Sequence, residues 1–233
     1  MKMQAVILAA GRGTRMGDLT RDVPKPLLEI AGKTLLEHQF DALPRAVDEI
    51  IVVVGYLGSQ IERRFGGFYD GKKIFYVEQE EDIHGTAGAL WSAKDVLRDK
   101  FLVMMADDIH SARDVERSLT TREWALLVQK LPQMHDAGEV KLDKMGRIID
   151  IVENAHGKKS GLASTNLFVL DTRIFETKLE PKSLDSQEFG LPQTALTASR
   201  KLGISFDAIL TEKWIRISDP SDLKEAEKIL LQG

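Results

Sequence analysis

Residues 4–16 read Gln4-Ala5-Val6-Ile7-Leu8-Ala9-Ala10-Gly11-Arg12-Gly13-Thr14-Arg15-Met16, an apolar run that stops at two closely spaced glycines. A run this short, rich in Val, Ile and Leu and bounded by turn residues, reads as a buried strand rather than a helix. The glycines let the backbone approach an anion closely, and successive N–H groups in such a loop can cradle phosphate oxygens. Two well-known glycine loops fail on counting. A dinucleotide fingerprint needs Gly at 16, where Met16 stands, and a P-loop ahead of Gly32-Lys33-Thr34 needs Gly at 27, where Leu27 stands. A little further on comes Val23-Pro24-Lys25-Pro26-Leu27. Arg15 suits bidentate contact with phosphate, and Lys25, on a proline-stiffened loop, is a positioned point charge.

Outward from that loop, apolar runs alternate with segments of helical period, the pattern of βαβ units covered by helices. The candidate strands are residues 4–9, 49–55, 72–79, 101–107, 124–131, 147–153 and 164–171. Helices are predicted over Thr34 to Leu43, with Leu35, Leu36, Phe40 and Leu43 on one face and Pro44 as a stop, and over Thr86 to Leu97, with Leu90, Ala93 and Leu97 inward. A third is predicted over Ser221 to Leu231 behind Pro220, with Leu223, Ala226 and Leu230 inward. Glu139 to Asp150 reads as a hairpin turning at Met145 and Gly146, and Lys178 to Gln187 is the most loop-like stretch. The fold class expected is α/β, a Rossmann-like three-layer αβα arrangement on a mainly parallel mixed sheet with a small antiparallel lobe. Residues 1–233 are read as a single domain, a length that one α/β sheet can hold.

Composition narrows the function classes. A net charge of −4 argues against a general nucleic-acid binder, which needs a basic face. The absence of Cys excludes disulfides and thiol nucleophiles and fits a cytoplasmic protein. The five histidines form no i, i+4 pair, so a zinc site is not expected. No run reaches the roughly 18 apolar residues needed to span a bilayer, and the N-terminal run carries no leader cleavage signal, so no membrane partner is expected. Homo-oligomerisation stays open.

Asp107 follows the apolar run 101–106 and should stand at the carboxyl end of its strand, where open α/β sheets place their ligand crevice. A carboxylate there is a natural Mg²⁺ ligand, because Mg²⁺ takes one or two protein carboxylates with phosphate oxygens and waters. If the strand runs on, Asp107 and Asp108 point to opposite faces and only one of the two meets the metal.

The combination of residues 8–16 with residues 23–38 resembles the signature of the sugar-1-phosphate nucleotidyltransferase family. Residues 52–65, 78–90 and 104–110 resemble that family's second strand and helix, its base-binding loop and its metal-binding acid, with a weaker match near Trp214. The resemblance implies a Mg²⁺-dependent joining of a nucleoside triphosphate to a sugar 1-phosphate with release of pyrophosphate. It implies that Leu8, Ala10 and Gly11 meet the nucleoside, that Gly13, Thr14 and Arg15 meet the triphosphate, and that Lys25 meets the α-phosphate and the sugar phosphate. Gly85 and Thr86 fall beside the nucleotide, and Gly138, Glu153 and Asn166 beside the sugar phosphate. The base-reading side chain falls on Glu80 by strict counting or on Gln79 with a one-residue slip. An amide, with donor and acceptor, suits uracil or thymine, whereas a carboxylate suits guanine. Two departures stand out. The family's Glu-Lys-Pro is Glu153-Asn154-Ala155, and the acid expected two residues after Trp214 is Arg216, which cannot bind Mg²⁺. Either Asp107 holds the ion alone, or Asp219 reaches in, or turnover has been lost; Arg216 is either a phosphate contact or an ordinary surface arginine. The alternatives carried forward are a cytidylyltransferase for phosphocholine or inositol phosphate and a nucleotide-binding regulatory homologue. No appended β-helix domain is expected after the last helix.

Overall fold

A computed structural model describes residues 3–134, 137–153 and 160–232. The strands are β1 (Met3–Leu8), β2 (Glu29–Ile30), β3 (Lys33–Thr34), β4 (Val47–Val54), β5 (Phe68–Tyr69), β6 (Lys72–Glu78), β7 (Lys100–Met105), β8 (Asp108–His110), β9 (Trp124–Leu131), β10 (Glu139–Leu142), β11 (Ile148–Val152), β12 (Gly161–Asp171), β13 (Phe206–Leu210) and β14 (Trp214–Arg216). The helices are α1 (Leu35–Ala42), α2 (Gly58–Phe65), α3 (Gly85–Ser92), α4 (Ala112–Ser118), α5 (Leu191–Leu202) and α6 (Pro220–Leu231).

A ten-stranded sheet runs β11-β10-β12-β7-β1-β4-β6-β5, with β9 joined to β12 and β13. β7, β1, β4 and β6 are parallel neighbours, while β12 lies antiparallel to β7 and β9. Alternate residues of the central strands feed two separate cores. Val6, Leu8, Ile51, Val53, Val103 and Met105 pack with α3 and α5 on one face. Ala5, Ile7, Val52, Val54, Leu102 and Met104 pack with Leu36 and Phe40 of α1, Ile61 of α2 and Val115 of α4 on the other. Burial on both faces explains why these strands are continuously apolar rather than alternating, and it makes the three-layer αβα arrangement. The expected Rossmann-like fold is therefore present.

α1 is shorter by a residue at each end than the segment read from the sequence, because Thr34 is its N-cap: the Thr34 hydroxyl accepts from the Glu37 N–H and the Glu37 carboxylate accepts from the Thr34 N–H. The expected helix Thr86 to Leu97 also shortens. α3 stops at Ser92, after which Lys94 and Val96 donate to the carbonyls of Trp91 and Ala93. Those i, i+3 turns keep Ala93 and Leu97 buried, so the apolar stripe outlasts the α-helix. The hairpin β10/β11 forms as expected, with its turn at 143–147, but it joins the main sheet through β12. Among the described residues no helix is long and apolar enough to cross a membrane.

Candidate active site

A cleft of about 540 Å³ opens at the carboxyl ends of β1, β6 and β7. β1 runs into Ala9 and Ala10, whose positions are fixed by main-chain bonds from the Ala9 N–H to the Val53 carbonyl (2.8 Å) and from the Tyr56 N–H to the Ala10 carbonyl (3.3 Å). Gly13 then takes a left-handed φ of 63°, and a Cβ there would lie 3.0 Å from the Cβ of Lys25. Glycine is what lets the loop and the Lys25 segment pack against each other. Lys25 itself is buried, 8% exposed. Its ammonium donates to Asp107 Oδ2 (2.5 Å) and to the Ile217 carbonyl (2.6 Å).

β7 ends at Met105, and the chain turns through Ala106 and Asp107 before β8. This turn breaks strand alternation, so both Asp107 and Asp108 line the cleft. The strand does not run on past Met105, so the alternation that would send the two carboxylates to opposite faces does not apply. Asp108 is buried: its Oδ1 accepts from the Trp214 indole (2.9 Å), and its Oδ2 lies 3.5 Å from the Asn166 amide nitrogen. Burial first, and the charge of Asp107 second, push Asp108 up to about 8, against the lowering influence of Trp214, Arg216 and Asn166. Asn166 reaches this point because β12 bulges between Ser164 and Phe168, placing Asn166 at φ 56°. Strained backbone of this kind needs the surrounding structure to hold it.

The wall at the start of α3 is built from small residues. Gly85 has φ 91°, and a Cβ there would stand 2.4 Å from the Phe189 carbonyl oxygen; a Cβ on Gly88 would stand 2.4 Å from that of Ile83. The loop before α3 therefore tucks against its first turn, and the Gln79 amide donates to the Ile83 carbonyl (2.7 Å). Gln79 lines the cleft, whereas Glu80 is exposed and outside it. Thr86 Oγ1 accepts from the Leu191 N–H (2.9 Å), tying this wall to the start of α5.

Leu8, Ala10, Gly11, Gly13, Thr14 and Arg15 share the cleft with Lys25, Gln79, Gly85, Thr86 and Asp107, and Gly138, Glu153 and Asn166 stand there too. Asp219 does not line it. Its carboxylate caps α6, accepting from the N–H groups of Ser221 (2.8 Å) and Asp222 (3.3 Å). The Asp219 carboxylate, a possible metal ligand by the sequence reading, is engaged in this cap. Asn154 lies outside the described residues. The sequence reading did not single out Lys182, Glu188 or Gln193, which also line the cleft. Gln193 donates to Glu153 Oε1 (3.2 Å). Its helix carried a usable signal, with Pro192 just inside the start and Gly203 just past the end.

Among the described residues no group of three or more His, Cys, Asp or Glu could by itself hold a metal ion. A single half-exposed carboxylate, Asp107, beside a phosphate-type loop nonetheless suits Mg²⁺ arriving with a nucleotide, since most of its ligands are then phosphate oxygens and water.

Fold and cleft together define an open α/β protein with its cleft at the carboxyl edge of its sheet. The nucleotidyl transferase family model matches residues 4–232, and the chain belongs to that family. It is 33% identical over 98% of its length to the bifunctional protein GlmU of Methanocaldococcus jannaschii, of which it covers 54%, so the chain spans about half the length of that relative. It is 32% identical over 98% of its length to the UTP–glucose-1-phosphate uridylyltransferase AglF of Haloferax volcanii, covering 96% of that protein. A solved UDP-glucose pyrophosphorylase bound to UDP-glucose superposes with a TM-score of 0.82 at 20% identity, over 100% of this chain and 99% of that one. The inositol-1-phosphate CTP transferase of T. maritima superposes at 0.78 and 20% identity, over 99% of this chain and 96% of that one. At these identities the two structures speak for the fold.

Proposed function

We propose that this protein transfers a nucleotidyl group from a nucleoside triphosphate to a sugar 1-phosphate, giving a nucleoside diphosphate sugar and pyrophosphate. The observation that carries the reading is the meeting, in one cleft, of the glycine loop 11–14, Arg15, the buried Lys25 and Asp107. An oxygen of the sugar phosphate forms a bond to the α-phosphorus, the bond from that phosphorus to the oxygen bridging to the β-phosphate breaks, and pyrophosphate leaves with the electron pair. No proton has to move, because the attacking phosphate is already an anion near neutral pH. Arg15 and Lys25 stabilise the charge that builds on the transferring and leaving groups. Mg²⁺, held by Asp107, would supply further positive charge on the phosphates.

Gln79 is the candidate base reader, and its amide favours a uridine or thymidine nucleotide. The uridylyltransferase relative, matched over nearly its whole length, supports the same choice. Glu153, Gly138 and Asn166 form the sugar end. The reading takes 1–233 as one catalytic domain, supported by a single large sheet that draws strands from both halves of the chain.

The test is pyrophosphate release with Mg²⁺ in a grid of five nucleoside triphosphates against glucose, mannose, galactose and N-acetylglucosamine 1-phosphates, with phosphocholine and inositol phosphate beside them. Release that needs both a triphosphate and a sugar 1-phosphate is the expected result. Release with an alcohol phosphate alone would move the protein to a different acceptor class. Triphosphate binding without turnover on any acceptor would make it a regulatory homologue.

A further inference from the structure

The β8/β14 ribbon forms one wall of the cleft, and it holds a cation that the proposed chemistry has so far left without a role. β14 pairs antiparallel to β8, with Arg216 directly opposite Asp108. Ile215 and Ile217 on either side of it are buried with Met16, Leu35 and Ile109. Side chains alternate along a strand, so Arg216 is directed the other way, and it lines the cleft. The wall is firmly held: the carbonyl of Ile217 accepts from the Lys25 ammonium (2.6 Å), and the indole of Trp214 donates to Asp108 (2.9 Å).

Arg216 stands opposite Asp108 and precedes Ile217, whose N–H donates to the Asp107 carbonyl (3.0 Å), so the ribbon meets two functional ends of the cleft here. On one side is the Lys25–Asp107 pair, where the α-phosphate is expected. On the other is Asn166, 3.5 Å from Asp108 and beside Ser164 at the sugar end. The junction of these ends is where two phosphates, each an anion, must be brought into contact. A fixed cation there lowers the cost of that approach. A guanidinium carries five N–H donors in a planar fork and can serve more than one acceptor at once. Attraction to Asp108 and contact with a phosphate are therefore compatible.

We propose that Arg216 binds the phosphate of the acceptor, the group that becomes the β-phosphate of the sugar nucleotide, and that it does so without a divalent cation. The proposal rests on the transferase reading above. It makes Arg216 a contact that discriminates sugar nucleotide from nucleoside monophosphate, since only the former carries that second phosphate.

The experiment is calorimetric titration in excess EDTA, with UDP-glucose, dTDP-glucose and GDP-mannose each compared with its own nucleoside monophosphate. The proteins are wild type, Arg216→Ala and Arg216→Lys. Losing a charge-assisted hydrogen bond should weaken the sugar nucleotide that wild type binds by about 10- to 100-fold in Arg216→Ala and leave the matching monophosphate unchanged. Arg216→Lys keeps the charge but loses the fork, and should fall between; it also carries the test if the alanine variant does not fold. Equal weakening of both ligands, or unchanged sugar-nucleotide affinity in both variants, overturns the proposal while leaving the transferase reading intact. A wild-type protein that binds none of the six ligands, with or without Mg²⁺, overturns the reading and the proposal together.

Discussion

Lys25 is held by two acceptors of different kinds, a carboxylate from the turn after β7 and a main-chain carbonyl from the segment after β14. Its position is thus set before any substrate arrives, which is what electrostatic stabilisation of a transition state requires. Lys25→Ala should lower turnover by on the order of 10²-fold; an unchanged rate of pyrophosphate release would remove Lys25 from the mechanism. Gly85 is constrained twice, by its φ of 91° and by the Phe189 carbonyl oxygen that a Cβ would meet at 2.4 Å. Gly85→Ala should destabilise the protein by about 1–3 kcal/mol, read as a shift in the urea midpoint. Gly146, at φ 81° with open space around it, is the comparison: its alanine variant meets the backbone cost without the clash. Equal stability of Gly85→Ala and wild type would show that residues 181–189 do not sit against α3 as described.

At the scale of elements, α6 and the β8/β14 ribbon decide what their residues can do. Asp219 opens α6 with a reciprocal cap in which Asp222 accepts from the Asp219 N–H (3.1 Å). Asp219→Ala should cost about 1 kcal/mol of stability and leave pyrophosphate release at the wild-type rate. Lost activity at unchanged stability would return Asp219 to the metal site. His110, on β8, is buried, and its Nε2 donates to the Thr165 carbonyl (3.2 Å). Burial lowers it from 6.5 to about 4, with Thr165 and the nearby Asp114 working the other way. Between these values the unfolded chain binds more protons than the folded one, so stability is complete above about pH 6.5 and is lost as pH falls toward 4. The whole effect is about 3 kcal/mol. Melting curves of wild type and His110→Gln should converge in slope above pH 7, and wild type should fall more steeply below 6.5; parallel curves down to pH 4.5 would deny the buried neutral imidazole.

For the whole molecule, β12 is the strand that makes one sheet of two halves. Its eleven residues pair with β7 of the parallel half on one edge and with β9 of the second half on the other, and its first part also meets β10. A chain divided into separate domains would not share a central strand in this way. Urea unfolding should therefore be one cooperative transition, coincident by tryptophan fluorescence and far-ultraviolet circular dichroism, because Trp91, Trp124 and Trp214 report from different parts of the fold. Two separated transitions would divide the chain into independent units.

The parallel half was legible residue by residue. Buried parallel strands are continuous apolar runs, helix starts carry caps such as Thr34 with Glu37, and the glycine loop with Lys25 is a local pattern, so each could be read from neighbours in the chain. α5 was missed although its Pro and Gly punctuation was present, because much of its buried face is made of Thr, Ser and Ala beside Leu191 and Leu196, residues that an apolar count passes over. Tertiary structure alone decided the rest. The turn at Asp107 brought Asp108 into the cleft, the β12 bulge aimed Asn166 at it, and the pairing of β8 with β14 set Arg216 opposite Asp108. The physical reason is separation along the chain: Asp108 and Trp214 are 106 residues apart, and their contact is fixed by strand register and packing, which local spacing does not encode.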